Sequence, residues 1–359
     1  MKPPALPYLT SALPGTGGVL RSTSEDFRVE ELPVYSPCGE GDHVFAWIEK
    51  TELTTFDAVG QLAKAVGVNP KDVGSAGLKD KYAVTKQYLS FPPPVTPEQV
   101  MALQVPGISV LAATRHGNKL RTGHLRGNRF TLRVRNVVIT EDEAADRALA
   151  ILARLKHPPG SPNWFGPQRF GNTGQNAAIG RALVGAGDMP ANVKPPRGKR
   201  KRLFISAFQS LLFNEYLNRR IGAGSYGAAL AGDVLAKTDS GGVFICEDAA
   251  TDSQRLANSE LVPTGPIFGH KMRQPTAGSQ PAALEQAILD EHGLTLASFK
   301  PAGKLAQGTR RHLAIDLGTT EVTTIGAGAI ELSFDLPSGA YATIVMREIL
   351  RTEGSTDAD

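Results

Sequence analysis

The sequence has 359 residues, which at roughly 150 residues per domain predicts two domains or one large one. Its hydrophobic share of 41% and charged share of 21% are those of a globular protein and exclude global disorder. Two cysteines, Cys38 and Cys246, exclude a disulfide scaffold, and no Cys/His cluster has zinc-ligand spacing. No apolar run is long enough to span a bilayer, and the first residues lack a signal-peptide core, so a soluble cytoplasmic protein is expected.

The net charge is only +4, but the basic residues are clustered. Arginines and a lysine crowd the stretch between Glu98 and Glu141, which contains no acidic residue. A second acid-free stretch, between Asp188 and Glu215, contains Lys194, Arg197, Lys199, Arg200, Lys201 and Arg202. Such clusters attract phosphates whatever the overall charge, although solvated basic loops would give the same pattern.

Patterns of apolar residues predict the secondary structure in chain order. They predict a strand at 43–50, a helix between a cap at Thr54 or Thr55 and Gly67, strands at 88–91 and 129–136, helices at 144–155 and 206–218, a strand at 330–334 and a helix at 341–350. In 129–136 the apolar residues alternate with arginines, which predicts a half-buried strand with one cationic face. Strands and helices mix without regular βαβ alternation, so the fold class is predicted to be α+β.

The densest group of chemically capable residues is the segment 76–87, in which Asp80 lies between Lys79 and Lys81. Neighbouring cations favour an ionised carboxylate. Such an anion can serve as a nucleophile or a base, and the same spacing also suits a turn residue held by salt bridges.

The basic segment 121–130 is a second candidate site. Its glycines would let a backbone approach phosphates, Asn128 could donate to and accept from a nucleotide, and Phe130 could stack on a base. A hairpin turn with Phe130 in the core explains the same residues. The segments 163–171 and 263–269 are interpreted structurally, the first as a packed aromatic turn and the second as a turn.

Four blocks in order resemble the TruD family of tRNA pseudouridine synthases. They are Lys79-Asp80, Gly127-Asn128, the segment from Asn163-Trp164-Phe165-Gly166 to Phe170-Gly171, and Phe334-Asp335-Leu336-Pro337-Ser338-Gly339, with Ser24-Glu25-Asp26-Phe27 before them and Pro263-Thr264-Gly265-Pro266 between. The resemblance runs from about Arg21 to Leu350, nearly the whole chain.

The resemblance implies specific roles for residues of this sequence. Asp80 corresponds to the catalytic aspartate and acts as nucleophile, and Arg21 corresponds to its basic partner, where many relatives carry lysine. Phe27, Asn128 and Phe334 correspond to substrate-contacting residues, and Phe130 to the aromatic residue that packs on the target base. Contacts to the RNA backbone are assigned to Lys79, Arg126, Lys199, Arg200, Lys201 and Arg202.

The resemblance also implies a fold and a reaction. The expected fold is a pseudouridine synthase catalytic domain, a mixed and largely antiparallel sheet with flanking helices, formed by 1–159 and 309–359. A family-specific α/β domain, 160–308, is expected to be inserted into it. The implied enzyme is a monomer that converts uridine 13 of tRNA to pseudouridine without a cofactor, a metal, a membrane or an obligatory protein partner.

Two other classes of function remain open from the sequence. A non-catalytic RNA-binding protein would use the same basic surfaces, but it would not need an anion that faces phosphates. A nucleosidase or glycosidase would need a second carboxylate placed as an acid, and no other Asp or Glu has a comparable position. The sequence also leaves open whether the aspartate acts covalently, stabilises a cationic sugar or assists proton removal.

Overall fold

The computed structural model describes residues 6–351. Its strands are β1 Val19–Leu20, β2 Phe27–Pro33, β3 His43–Thr51, β4 Gly74–Ser75, β5 Val84–Phe91, β6 Ile108–His116, β7 Leu125–Arg135, β8 Ser161–Pro162, β9 Val234–Lys237, β10 Val243–Ile245, β11 Leu261–Ile267, β12 Thr309–His312, β13 Ala314–Ile315, β14 Thr320–Gly326 and β15 Ala329–Pro337. Its helices are α1 Thr55–Ala65, α2 Pro97–Met101, α3 Glu141–Lys156, α4 Asn176–Leu183, α5 Gly198–Gly222, α6 Ala249–Ala257, α7 Gln280–Glu291 and α8 Ala342–Leu350. Within 6–351, no helix is both long and apolar enough to cross a membrane.

The described chain divides into two compact units. The first consists of 12–152 and 317–351, and the second of 6–11 and 153–316. The predicted boundaries at 160 and 308 lie close to the observed ones at 153 and 316. The interpretation of the second unit as an inserted domain stays a prediction.

The first unit is built on a nine-stranded sheet in which the order β14-β15-β7-β2-β5-β3-β6 forms the main path. The short strands β1 and β4 pair with β7 and β5. Within this sheet β2 and β5 run parallel, and the other pairs are antiparallel. This topology confirms the predicted mixed, largely antiparallel sheet.

On one face of this sheet, a row of paired residues contains two of the predicted site residues, Phe130 and Phe334. Cross-strand partners run from Phe334 on β15 to Phe130 on β7, Val29 on β2, Thr85 on β5 and Lys50 on β3. Directly paired residues point to the same face, so these five side chains lie beside one another. All five are buried. We call this set the central row.

The arginines of β7 lie on the opposite face of the strand, as the predicted half-buried strand with one cationic face requires. Arg129 pairs with Asp335, with 2.8 Å between Nε and Oδ1. Arg133 pairs with Glu331 at 2.7 Å, and Arg135 contacts the buried Asp26, also at 2.7 Å. The sequence did not predict their partners, because the carboxylates come from β15 and from the turn before β2. This face therefore holds ion pairs between neighbouring strands.

Helix α1 forms where the sequence predicted a helix, and it packs on the sheet. The Thr54 hydroxyl accepts a hydrogen bond from the Asp57 N–H, and the Asp57 carboxylate accepts from the Thr54 N–H, which forms a capping box. The buried residues of α1 pack with apolar residues of β3 and β5. The predicted helices at 144–155 and 341–350 correspond to α3 and α8.

The second unit has a four-stranded sheet in the order β10-β9-β11-β12, with helices α4 to α7. The segment 263–269, interpreted as a turn, instead forms most of β11. A Cβ at Gly265 would lie 2.7 Å from Leu313 and 2.9 Å from Phe213, so this glycine permits close packing. The packed aromatic turn predicted at 163–171 is confirmed by the buried rings of Trp164 and Phe170.

Candidate active site

The loop that carries Asp80 is held in place by a chain of hydrogen bonds. The Lys79 N–H donates to the Thr55 hydroxyl at 2.8 Å, and that hydroxyl donates to Gln87 Oε1 at 3.0 Å. Gln87 Nε2 donates to the Gly77 carbonyl at 3.3 Å. Thr55 and Gln87 are both buried, so the loop is tied to α1 and β5 from the inside of the protein. The sequence suggested Thr55 only as a possible helix cap and Gln87 only as the end of the segment 76–87, and it predicted neither of these contacts.

Asp80 and Arg21, which are 59 positions apart in the sequence, form an ion pair. Arg21 Nη2 donates to Asp80 Oδ2 at 3.2 Å, and the two side chains are 17% and 59% exposed. The carboxylate is therefore accessible to a ligand, while the guanidinium lies mostly within the protein. The structure brings together these two predicted partners.

Arg21 also adopts an unusual backbone conformation. Its φ of 63° lies in the left-handed region, which non-glycine residues occupy at a cost of order 1–3 kcal/mol. Its guanidinium carbon lies 3.8 Å from the centre of the Phe27 ring, close enough for a cation–π contact. The surrounding structure thus holds Arg21 between Phe27 and Asp80.

The three predicted aromatic residues form one cluster. Phe130 and Phe334 stack with 5.8 Å between ring centres, and Phe27 meets Phe130 edge-on at 6.1 Å. Their exposed fractions are 1% for Phe27, 7% for Phe130 and 0% for Phe334. The hairpin interpretation of 121–130 was right to place Phe130 in the core and a turn in the segment, since the His124 N–H donates to the Arg121 carbonyl at 3.0 Å just before β7 begins at Leu125. The turn does not close a hairpin, because β6 and β7 are not neighbours in the sheet.

Asn128 lies two residues before Phe130 on β7, opposite Glu31 of β2. Its Oδ1 atom is buried and has no hydrogen-bond partner within 6–351. A buried acceptor without a donor is costly in the protein alone, and a ligand N–H could satisfy it. Arg126, close to the start of the same strand, is exposed.

Lys79, predicted to contact the RNA backbone, has a different partner. Its Nζ lies 3.0 Å from Oε2 of Glu31, and the two side chains are 3% and 1% exposed. A phosphate could not reach this ammonium without separating the pair. The local sequence does not show that Lys79 points into the sheet, where Glu31 neutralises it, and the prediction failed for that reason.

Lys50 is a site residue that sequence reasoning missed. Its side chain is buried, and its Nζ donates to the Asp80 carbonyl at 2.9 Å and to the Leu53 carbonyl. Burial lowers the pKa of Lys50 to about 8, although attraction to Asp80 partly opposes this shift. A signal was present, since strand alternation puts Lys50 on the inward face with Val44 and Ile48.

The cations at 199–202 belong to the second unit and lie in the first turns of α5, not in a loop. Lysine and arginine are good helix formers, so the apolar helix predicted from residue 206 extends towards the N-terminus through them. Lys199, Arg200 and Arg202 are exposed, and Lys201 is half-buried. They remain available to a polyanion.

The comparisons with known proteins agree across nearly the whole chain. The family model of tRNA pseudouridine synthase D (TruD) matches residues 5–195 and 187–349. A tRNA pseudouridine synthase D from Anaeromyxobacter dehalogenans (strain 2CP-C) is 48% identical over 351 residues, covering 97% of each chain. One from Geobacter sulfurreducens is 40% identical over 407 residues, again with 97% of each chain covered. A crystal structure from Methanosarcina mazei, described as TruD, covers 96% of each chain with a TM-score of 0.78 at 21% identity, a likeness that shows the fold. The chain therefore belongs to the tRNA pseudouridine synthase D (TruD) family.

Proposed function

We propose that this protein is an isomerase that converts uridine 13 of tRNA to pseudouridine, with Asp80 as the nucleophile. The observation that carries the proposal is the Arg21–Asp80 pair, an accessible carboxylate beside a guanidinium in a strained conformation. Strained residues concentrate at functional sites, and this one touches two predicted site residues, Phe27 and Asp80. Family membership supplies the class of reaction.

The proposed reaction breaks the N1–C1′ glycosidic bond, turns the base and joins C5 to C1′. The hydrogen of C5 leaves as a proton and N1 gains one, so the product is an isomer and no redox cofactor is required. Asp80 forms a bond to the nucleoside during the step in which the base is detached, and the carboxylate is released when the C–C bond is complete. Arg21 keeps the carboxylate ionised and oriented before attack.

The target uridine must leave the RNA stack to reach Asp80. Phe27, Phe130 and Phe334 then form the apolar part of its pocket, and the free Oδ1 of Asn128 accepts a hydrogen bond from a uracil N–H. Because the Arg21 guanidinium covers Phe27, the nucleotide either contacts ring edges or displaces this cation. Phe130 has no ionisable group and serves only in packing.

Contacts to the RNA backbone are assigned to Arg126 in the first unit and to Lys199, Arg200, Lys201 and Arg202 in the second. Lys79 leaves this set because it is paired with Glu31. We also assign the second unit to the inserted domain of the family, which makes the catalytic domain discontinuous and dependent on Phe334 from the C-terminal part. The active form is a monomer that acts on tRNA alone.

The test incubates the purified full chain with tRNA transcripts that carry tritium at C5 of uridine. Pseudouridine formation releases this tritium to water, because C5 becomes bonded to C1′. One equivalent released from wild-type tRNA, and none from a transcript with cytidine at position 13, is the expected result. Free uracil would indicate a nucleosidase, and tight binding without release would indicate an RNA-binding protein; either outcome would overturn the proposal.

A further inference from the structure

Lys50 occupies a place in which lysine is rarely found. It ends the inward face of β3, has an exposed fraction of 0%, and lies in the central row opposite Thr85. Lysine is almost never fully buried unless its charge has partners. If this position served only packing, an apolar residue would suit it, as Ile48 does two residues earlier on the same face of β3. The buried ammonium therefore needs an explanation.

The contacts of the ammonium supply that explanation. Its two acceptors are backbone carbonyls, those of Leu53 and Asp80. Leu53 lies just before α1, and Asp80 lies in the loop that faces solvent. Lys50 therefore joins the rigid sheet to the peptide that carries the proposed nucleophile.

We propose that Lys50 is a positioning residue for pseudouridine formation, which fixes the Asp80 peptide from beneath and so places the Asp80 carboxylate. The inference rests on the proposed function. The aspartate side chain is short, so its carboxylate follows the position of its own backbone. The ion pair with Arg21 involves a 59% exposed carboxylate, and exposed ion pairs alone hold geometry weakly. Charge-assisted hydrogen bonds donated by the buried Lys50 ammonium are stronger.

The protonation state of Lys50 gives this role a pH dependence. Burial lowers its pKa to about 8; the charged groups that act on it are Asp80 and Asp57, which raise the pKa, and Lys79, which lowers it. The neutral amine that forms above this pH holds both carbonyls less tightly, because donors lose strength with their charge. Turnover is therefore expected to fall as the pH rises through 8.

The experiment compares Lys50→Met, Lys50→Arg and a control, Lys64→Met, in the full-length protein. Lys64 is exposed near the end of α1. Lys64→Met therefore makes the same substitution as Lys50→Met, but at a surface position outside the Asp80 loop. Single-turnover rates with saturating enzyme and tritiated tRNA measure the reaction, and filter binding measures tRNA affinity. Melting curves show that each variant is folded at the assay temperature.

We expect Lys50→Met to lower the single-turnover rate at least about tenfold with tRNA affinity within about twofold of wild type. Lys50→Arg should recover part of the rate and remove the loss above pH 8, since guanidinium stays charged. Equal rates for folded Lys50→Met and wild type would overturn the inference, as would a wild-type rate that stays constant through pH 9. If Lys50→Met does not fold, the pH profiles of wild type and Lys50→Arg provide the test: the inference requires a loss of rate above pH 8 in wild type that Lys50→Arg does not show.

These outcomes are separable from failure of the proposed function. A wild-type protein that makes no pseudouridine contradicts the function, whereas an active wild type whose rate ignores Lys50 contradicts only the positioning role. Lys64→Met should match wild type in rate and affinity. A loss in that control equal to the loss in Lys50→Met would assign the effect to general damage to the protein and would overturn the inference.

Discussion

Glu31 and Lys79 form an ion pair inside the first unit, with 3.0 Å between Oε2 and Nζ. The other carboxylate oxygen, Oε1 of Glu31, accepts a hydrogen bond from the Tyr88 N–H at 3.3 Å. The Glu31 carboxylate thus joins β2 both to β5, through Tyr88, and to Lys79, the loop residue that precedes Asp80. Both side chains are almost fully buried, 3% and 1% exposed, and Lys79 is the sequence neighbour of the proposed nucleophile.

Breaking this pair should destabilise the protein more than removing it entirely. Lys79→Met leaves the Glu31 carboxylate buried without its cation, which typically costs about 3–5 kcal/mol in the free energy of unfolding. The double variant Glu31→Leu with Lys79→Met should recover much of that loss. Urea denaturation of the two variants measures the difference, and equal stabilities would contradict a coupled buried pair.

The partners of such charges could not be predicted from the sequence. Alternation predicted the strand of Lys50, and the capping preference of threonine predicted a helix cap at Thr54 or Thr55, because both depend only on neighbouring residues. The Glu31–Lys79 contact joins residues 48 positions apart and depends on the register of the parallel strands β2 and β5. Likewise, the arginines of β7 were visible, but Asp335 comes from a strand 206 positions away. Strand order, which local patterns do not contain, decides which charges are neutralised.

Gly127 should be intolerant of any side chain, because β7 and β15 approach closely beside Asn128. A Cβ there would lie 2.2 Å from the Leu336 carbonyl oxygen, a backbone atom that cannot move freely. Gly127→Ala should destabilise the protein by about 1–3 kcal/mol and reduce turnover by displacing Asn128. Gly117→Ala is the matched control, since a Cβ at that position meets nothing within 4 Å. Equal melting temperatures for the two variants would contradict this close approach of the Leu336 carbonyl to Gly127.

The cations of α5 should contribute to tRNA binding through charge alone. Replacement of Lys199, Arg200, Lys201 and Arg202 by alanine should weaken binding and flatten its salt dependence, by about one unit of log–log slope for each lost phosphate contact. The control replaces Lys300 and Lys304, two exposed lysines of the same unit. Filter binding over a range of salt concentrations measures both slopes. A quadruple α5 variant whose salt slope equals that of wild type would mean that these cations do not contact phosphates.

Arg21 should matter through its charge and its contact with Asp80 rather than through its exact shape. Arg21→Ala removes the 3.2 Å contact and should lower turnover about 10²-fold, the scale of a lost positioning interaction. Arg21→Lys keeps a cation and should recover much of the rate. Single-turnover rates of the three proteins provide the measurement. If Arg21→Ala were as fast as wild type, Arg21 would have no role in turnover.

Asp80→Asn provides the sharpest test of the active site, because it keeps the shape and hydrogen-bonding capacity of the side chain while it removes the anion. The side chain is 59% exposed and the main-chain bond from Lys50 goes to the carbonyl, so the variant should fold normally. If the carboxylate acts on the transition state, turnover should vanish while tRNA affinity stays the same or rises slightly, since one negative charge near the phosphates is gone. Tritium release measures turnover and filter binding measures affinity, with mass spectrometry to exclude deamidation back to aspartate. Appreciable pseudouridine formation by the intact asparagine variant would show that the nucleophile is another group, and the ion pair with Arg21 would then be structural.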